Sequence, residues 1–436
     1  MKNLLALLIV GCATTVSYAQ QDIKKVRLEL PDGAVYAYSQ IEPSIAIDPN
    51  NSKIMVAGSV LSDYYYSTNG GKKWKSYTMS SKYGVYGDPV LMFDNFHKVY
   101  YFHLASYKET SHLDRIVCQT TTPKKCKKKT FTNFDEGTFP APDGEKVQDK
   151  QWTVVNKVTN EIYMTWTQFD AYNSAEIKDS SLIMFSKSRD QGATWSHPKR
   201  ISKFPGDCLD DDETVEGAVP AVGPNGEIYV TWTGPKGLVF QKSLDGGETW
   251  LEEEKILEKQ YGGWTLEIPG IYRANGLPIL KCDLSDGPNR GTLYLNWCDQ
   301  RNGETDTDSW LMKSTDGGET WSEPIRVNQD DSKKHQFFTW MTIDQSNGYL
   351  YFVYYDRRDH NDTSTEVYLS TSRDGANTFV DTKLSDTPFV PDNKVFFGDY
   401  LNIAAVNGVI RPIWPRMDQK KISLWVALVN EKELAK

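Results

Sequence analysis

The feature that most constrains this chain is a short turn motif that recurs in one register. Its pattern is Ser-x-Asp-x-Gly-x-Thr-Trp, and the clearest copies begin at Ser188, Ser243 and Ser314. A fourth copy, from Ser372, has Ala and Phe in place of Gly and Trp, and a fifth, from Ser67, has Asn and Lys in place of Asp and Thr. In such a turn the Asp or Asn bonds nearby backbone and the Gly accepts a positive φ. Five copies in one register predict a repeated, all-β architecture.

Pairs of apolar segments recur along the chain together with this motif. Seven pairs of β-branched and aromatic runs are present, from 43–47 with 53–57 to 401–405 with 409–414. Runs of this composition, separated by short polar turns at regular intervals, are strand signals. The last unit has only one more strand after its pair, so its fourth strand has to come from the N-terminal segment 25–30. That exchange would close a ring and remove the open edge of the sheet.

The recurring turn resembles the Asp box of the sialidase-like (BNR/Asp-box repeat) β-propeller superfamily. With seven strand pairs, the resemblance implies an all-β propeller of seven four-stranded blades over residues 20–436, and six blades, the number in sialidases, is the alternative. A copy of the box is missing near 120–122, where a lysine-rich segment follows. In these relatives the boxes staple the blades. The opposite face carries the active site, on loops that enter the innermost strands and leave the second strands.

The N-terminus predicts export. A positive start at Lys2 precedes an apolar run, and Ser17-Tyr18-Ala19 has the small residues of a cleavage site. We therefore expect a signal peptide at 1–19 and a secreted or periplasmic protein, with lipid attachment at Cys12 as the alternative. No later stretch approaches the roughly 18 apolar residues that a membrane-spanning helix needs, so we expect no transmembrane segment.

Composition narrows the range of partners and cofactors. A net charge of −9 argues against nucleic acid, which requires basic patches. Thirteen Trp and 24 Tyr suit an all-β protein whose aromatic rings face sugars. The cysteines lack zinc-binding spacing, and the acidic loops 207–213 and 304–308 lack EF-hand spacing, although a structural calcium ion could bind there. We expect a monomer without a cofactor.

Polar residues cluster at the predicted entries to the innermost strands, and ring closure would bring them to one rim. They are Glu42, Asp88, Asp149, Lys150, Glu216, Tyr272, Arg273, His335, Asp399 and Tyr400. The segments after the second strands add His103, Asp170, Asp299, Arg301, Asp356, Arg357, Arg358 and Arg416. Turn capping and local ion pairing are the ordinary alternative for each residue taken alone.

Three functions fit such a rim. Sialidases clamp a substrate carboxylate with three arginines, the first in an Arg-Ile-Pro motif, and that motif is absent here. The preferred hypothesis is β-elimination on a poly- or oligosaccharide that contains uronic acid, as in a lyase or dehydratase. It needs a base near the sugar C5 proton and a cation that neutralises the sugar carboxylate. The alternatives are hydrolysis by a carboxylate pair and a non-catalytic glycan-binding propeller.

Roles follow from these requirements. The catalytic candidates are His335, Tyr400, Tyr272, Asp149, Glu216 and Asp399. The substrate-binding candidates are Arg273, Arg301, Arg357, Glu42, Asp88, Lys150 and His103. The expected partner is an acidic glycan, and no residue is assigned to a metal.

Overall fold

The computed structural model describes residues 23–31, 39–106, 112–122 and 131–434. The predicted signal peptide, Cys12 and the lysine-rich segment 124–129 lie outside these ranges. Seven antiparallel sheets follow one another along the described chain, and each forms one blade. The predicted all-β propeller of seven blades is confirmed, and the six-bladed alternative is wrong. One 3-10 turn, Glu431–Glu433, is the only helical segment within the described ranges.

The strands are numbered in chain order. The first, β1, spans Lys25–Leu28. Blade 1 contains β2–β5, which span Ser44–Ile47, Met55–Ser59, Asp63–Ser67 and Lys75–Thr78. Blade 2 contains β6–β8, which span Val90–Phe93, Val99–Ala105 and Arg115–Thr121. Blade 3 contains β9–β12, which span Val147–Val155, Ile162–Phe169, Ser181–Ser188 and Lys199–Arg200. Blade 4 contains β13–β16, which span Glu216–Val222, Ile228–Gly234, Gly237–Ser243 and Lys255–Glu258.

A short ribbon separates blades 4 and 5. Its strands, β17 and β18, span Thr265–Leu266 and Ala274–Asn275. Blade 5 contains β19–β22, which span Ile279–Cys282, Leu293–Asp299, Asp308–Ser314 and Ile325–Arg326. Blade 6 contains β23–β26, which span Gln336–Asp344, Tyr349–Asp356, Glu366–Ser372 and Val380–Lys383. Blade 7 contains β27–β30, which span Asn402–Val406, Val409–Asp418, Lys421–Ala427 and Val429–Asn430.

Blade 7 is completed by the N-terminal strand. β1 pairs antiparallel with β29, from Lys25 opposite Ala427 to Leu28 opposite Leu424. The predicted segment therefore supplies the outer strand of the last blade. This pairing joins the two ends of the ring and satisfies backbone groups that would otherwise form an exposed sheet edge.

The second strand of each blade is buried on both faces because a neighbouring blade covers each side. Every residue of β7, β14 and β20 is buried, which explains why apolar residues occupy both faces of these strands in place of strict alternation. The largest fully buried side chains include Trp232 and Trp297. Burial of each such ring stabilises the fold by about 1.5–3 kcal/mol.

Each Asp box joins the third strand of a blade to the segment leading to the fourth. In the copy from Ser243, the hydroxyl accepts from the Gly247 amide at 2.8 Å, and Asp245 accepts from the Thr249 amide at 2.8 Å. The box Trp250 meets Phe185 of blade 3 edge-on, with ring centroids 5.0 Å apart. The boxes are therefore turns that staple one blade to the one before it. Blade 2 has three strands within the described ranges.

Substituting Gly318 with alanine tests this staple. Gly318 has a φ of 81°, and an added Cβ would overlap the Phe240 ring of the preceding blade. We expect a loss of about 2–4 kcal/mol of unfolding free energy, from the left-handed backbone and from overpacking, measured by urea denaturation. The matched control is Gly144→Ala, where φ is 63° and no atom lies within 4 Å of the added Cβ. Equal losses in the two variants would rule out blade-to-blade packing as the cause.

Candidate functional site

A cleft of about 1090 Å³ lies at one end of the ring axis. Its walls come from the loops that enter the innermost strands and those that follow the second strands, whereas the Asp boxes lie at the opposite ends of the blades. The predicted site residues that line it are Glu42, Asp88, Asp149, Lys150, Asp170, Tyr272, Arg273 and Asp399. The structure thus brings one group of the predicted residues together at one rim, as expected from the sequence.

Three charged residues enter the innermost strands with an unusual backbone. Glu42, Asp88 and Lys150 have φ values of 51°, 46° and 50°, and Gly217 holds the corresponding place in blade 4 with a φ of 71°. Left-handed backbone costs a non-glycine residue on the order of 1 kcal/mol or more. Such strain clusters at functional sites because it fixes where a side chain points. Here it marks the entries of consecutive blades.

Asp399 is the anchor of the cleft floor. Arg273 binds it in a bidentate manner, with its Nε 2.9 Å from Oδ1 and its Nη2 against Oδ2. The Lys150 Nζ donates to the same Oδ2 at 3.0 Å. Burial alone would raise the pKa of Asp399, but the charges of Lys150 and Arg273 outweigh it and hold the pKa well below the usual range. Asp399 is therefore ionised and fully engaged by two cations.

A second carboxylate holds the other side of the Arg273 guanidinium. The Arg273 Nη1 donates to Asp210 Oδ2 at 2.9 Å, and the Tyr172 hydroxyl donates to the same oxygen at 2.7 Å. Glu216 forms a side-chain hydrogen bond with Asp210, and burial followed by the charge of Asp210 raises the pKa of Glu216 well above normal. Arg273 is consequently neutralised from two directions.

Asp88 is the centre of a proton-sharing group. The Tyr400 hydroxyl donates to its Oδ1 at 3.1 Å, and the side chains of Glu42 and Asp149 also hydrogen-bond to it. Burial, and then the charge of Asp88, raises the pKa of both Glu42 and Asp149 well above the usual range. Glu42 and Asp149 thus hold protons, whereas the neighbouring Asp399 is ionised. Neighbouring acids in opposite protonation states are typical of acid–base sites.

Asp149 is the proton-bearing acid best placed to meet a ligand. It is half-buried and lines the cleft, whereas Glu42 and Glu216 are buried. Across the cleft wall, Tyr272 is 60% exposed and its ring lies 6.0 Å from that of Phe396. Exposed aromatic rings beside polar groups are suited to the apolar faces of sugars.

Three aromatic rings close the ring axis below this cleft. Trp152 of β9 lies 4.4 Å from Trp340 of β23, and the Tyr400 ring lies 5.2 Å from Trp152 and 5.9 Å from Trp340, measured between centroids. We call these three side chains the aromatic plug. It comes from blade 3, blade 6 and the entry to blade 7, and it separates the cleft from the rest of the channel.

The predicted histidines do not line the cleft. His103 is buried within blade 2, where its Nδ1 lies 2.8 Å from the Leu104 carbonyl oxygen. The Nδ1 of His335 lies 3.0 Å from the hydroxyl of Thr307. Burial lowers the pKa of each to about 4, and the charge of Arg357 adds to this at His335. Both are neutral side chains bonded within the blades.

Most predicted arginines are also held locally. Arg301 pairs with Asp299 at 2.7 Å and lies over the Trp310 ring. Arg357 bonds Thr365 at 3.0 Å and lies over Phe337. The remaining pairs are Arg358 with Asp356 and Arg416 with Asp418. None of these arginines is among the cleft-lining residues. Each contacts side chains outside the cleft, and the Nη2 of Arg357 is buried without a hydrogen-bond partner among the described residues.

Sequence reasoning missed several of the residues at or beside this cleft. Tyr172 and His112 line it, and Asp210 binds Arg273 from behind. Tyr172 stands two residues after Asp170, so the rule that selected segments after second strands would have found it with a wider window. Asp210 belongs to loop 207–213, which the sequence suggested only as a possible calcium site.

No group of metal-ligating side chains occurs within the described ranges. In loop 207–213, Asp207 accepts from the Thr214 hydroxyl at 2.8 Å and Asp212 from the Trp264 amide at 2.8 Å, so these carboxylates stabilise turns. The described cysteines are buried thiols: Cys118, Cys208, Cys282 and Cys298. Across the described part of the chain, no helix has the length and hydropathy to cross a bilayer.

Comparison with known proteins supports the architecture. The family model of the BNR/Asp-box repeat matches residues 312–323, and no curated protein sequence matches the chain. An ulvan lyase, described as a new family of polysaccharide lyase, is 12% identical with a TM-score of 0.53, covering 90% of this chain and 94% of that one. Its structure with bound -[GlcA(1-4)Rha3S]- is 13% identical with the same TM-score and coverage.

A protein of unknown function from Dyadobacter fermentans is 10% identical with a TM-score of 0.51, covering 94% of this chain and 99% of that one. At such identities, likeness shows the fold alone. With the repeated box and the seven closed sheets, these findings lead to one conclusion. The chain is a seven-bladed β-propeller that carries the BNR/Asp-box repeat.

Proposed function

We propose that the cleft hydrolyses a glycosidic bond of a glycan, with Asp149 as the general acid. The observation that carries this proposal is the placing of Asp149: a half-buried carboxyl group on the cleft wall whose pKa is raised by burial and by Asp88. A carboxylic acid that keeps its proton near neutral pH can protonate the leaving oxygen of a glycosidic bond.

The charge of the cleft favours hydrolysis over elimination. Its lining holds six carboxyl groups and three cationic side chains, namely Glu42, Asp88, Glu145, Asp149, Asp170 and Asp399 against Lys150, Arg273 and Lys394. Glycoside hydrolysis passes through an oxocarbenium-like transition state, whose positive charge is stabilised by the carboxylates other than the proton-bearing Glu42 and Asp149. Elimination develops negative charge beside the sugar carboxylate and needs free cations. Here Lys150 and Arg273 are already bound to Asp399.

Elimination on a uronic-acid-containing glycan is the second candidate. It is favoured by one wall of the cleft, where Arg273, with a side chain 34% exposed, follows Tyr272 directly. The fold of the ulvan lyase is also the same type. The other residues that first suggested elimination, His335, Arg301 and Arg357, do not line the cleft, so hydrolysis is placed first.

A substrate screen separates the two candidates. The full chain is incubated with neutral, sialylated and uronate-containing oligosaccharides, and both new reducing ends and the ultraviolet absorbance of an unsaturated uronate are recorded. Hydrolysis gives reducing ends without absorbance. Ultraviolet absorbance of an unsaturated uronate would show that the reaction is elimination and would overturn the proposal of hydrolysis. Retained glycan affinity with neither signal would replace both by a binding role.

A further inference from the structure

A second cavity lies on the other side of the aromatic plug. It has a volume of about 290 Å³ and is lined by residues from the innermost strand of every blade. Because these strands begin at the cleft, their later residues face the end of the channel where the Asp boxes lie. Trp152 and Trp340 of the plug form its inner end. We call this cavity the box-side channel.

One position in each innermost strand defines a ring around this channel. The position is identified by its partner on the second strand, which is a tyrosine in five of the seven blades. The seven residues at this position are Ala46, Met92, Val154, Ala221, Lys281, Thr342 and Ala404. Six are uncharged and mostly small or apolar, and the seventh is Lys281.

Lys281 has no partner to explain its charge. No carboxylate is among the channel-lining residues, and within the described ranges no hydrogen bond or ion pair reaches the Lys281 side chain. Lys157 lines the same cavity and adds a second cation. The Lys281 side chain is half-buried. An ammonium group that loses part of its hydration without gaining a partner destabilises a fold, so its presence calls for an explanation other than stability.

We propose that the box-side channel is a second binding site, for a small organic carboxylate with an apolar body, and that the Lys281 ammonium pairs with the carboxylate. The walls supply apolar contacts from Met92, Val154 and Ala404, and the one charged position supplies the anchor. The volume equals that of about ten water molecules, which is enough for a single substituted ring. The plug makes this site independent of the acidic cleft.

Benzoate is a suitable probe. We expect isothermal titration calorimetry to show benzoate binding to the full-length protein and at least tenfold weaker binding to Lys281→Met, which keeps the size of the side chain without its charge. Benzyl alcohol, of similar shape but uncharged, should not distinguish the two proteins. The control is Lys53→Met, at an exposed lysine, which should bind benzoate as the parent does. Absent binding, or equal affinity in Lys281→Met, would overturn the proposal.

The same variant has a second expected signature, in stability. Burial lowers the pKa of Lys281 from 10.5 to about 8, so between these values the unfolded chain binds more protons than the folded one. Unfolding free energy from Lys281 therefore rises with pH across this window. Lys281→Met should lack that rise and should be more stable than the parent below pH 8, as measured by urea denaturation.

Other titratable groups adjoin this lysine and stay in the variant. They are Lys157 and Cys282 in the channel lining and Tyr294, the strand partner of Lys281. Parallel pH profiles for parent and variant would show that Lys281 is not held away from water. Glycan turnover in Lys281→Met should equal that of the parent, so failure of this site and failure of the cleft proposal are distinguishable.

Discussion

Replacing Asp149 with asparagine should lower the kcat for glycan hydrolysis by about 10³-fold, within the usual contribution of a general acid. Asparagine keeps the shape of the protonated carboxyl group but has no proton to transfer to the leaving oxygen. Turnover is measured as new reducing ends on the best substrate of the screen. The matched control is Asp286→Asn, at a fully exposed aspartate, which should turn over as the parent does.

The raised pKa of Asp149 also predicts how the stability of the parent and of Asp149→Asn changes with pH. Since burial and Asp88 raise its pKa in the folded state, the folded protein binds more protons than the unfolded chain above the ordinary aspartate pKa. The parent therefore loses unfolding free energy as pH rises through that window. Asp149→Asn should not show this loss and should be at least as stable as the parent at pH 8. A fall in kcat with an equal fall in stability would contradict a catalytic role.

Asp399→Asn should destabilise the fold by about 3–5 kcal/mol, the usual cost of removing one partner from a buried ion pair. Lys150 and Arg273 would then face each other across the cleft floor without the carboxylate that both now bind. Urea denaturation monitored by tryptophan fluorescence measures the loss. Because the folded-state pKa of Asp399 is depressed, its contribution is present above the ordinary aspartate pKa and is lost as pH falls through the depressed folded-state pKa.

A buried pair outside the cleft provides the comparison for Asp399. Asp299→Asn leaves Arg301 without its partner, which it now meets at 2.7 Å, so this variant should also lose stability. It should keep the parent kcat, because neither residue lines the cleft. Asp399→Asn should lose both stability and turnover. Unchanged stability in Asp399→Asn would show that Lys150 and Arg273 find other partners, and would remove Asp399 as the anchor of the site.

The ring could be predicted from the sequence because its signals are local and repeated. Each box, such as the one from Ser243, fixes a turn through bonds among residues only a few positions apart. The pairing of β1 with β29 was predictable for a different reason. The seventh strand pair was followed by one further strand, which left the N-terminal run 25–30 as the candidate for the remaining place.

The site could be predicted only in part, because position along a strand does not fix the direction of a side chain. The rule of strand entries found Asp149, Lys150 and Asp399, which line the cleft. It also selected His335, which turns to Thr307. Whether a polar group reaches the axis depends on partners from elsewhere in the ring, such as Asp399 at the entry to blade 7 for Arg273 between blades 4 and 5. No local pattern encodes such a partner.

The seam between β1 and β29 also sets the order in which the ring can be completed. β1 must wait for its partner, since β29 is synthesised only after the strands of the intervening blades. Pairing such distant segments costs only a little more free energy than pairing near ones, because the entropic cost of loop closure grows only with the logarithm of loop length. It does slow the search for the native pairing. Until β1 pairs with β29, the ring stays open between its first and last blades, and the outer edge of blade 7 is unpaired.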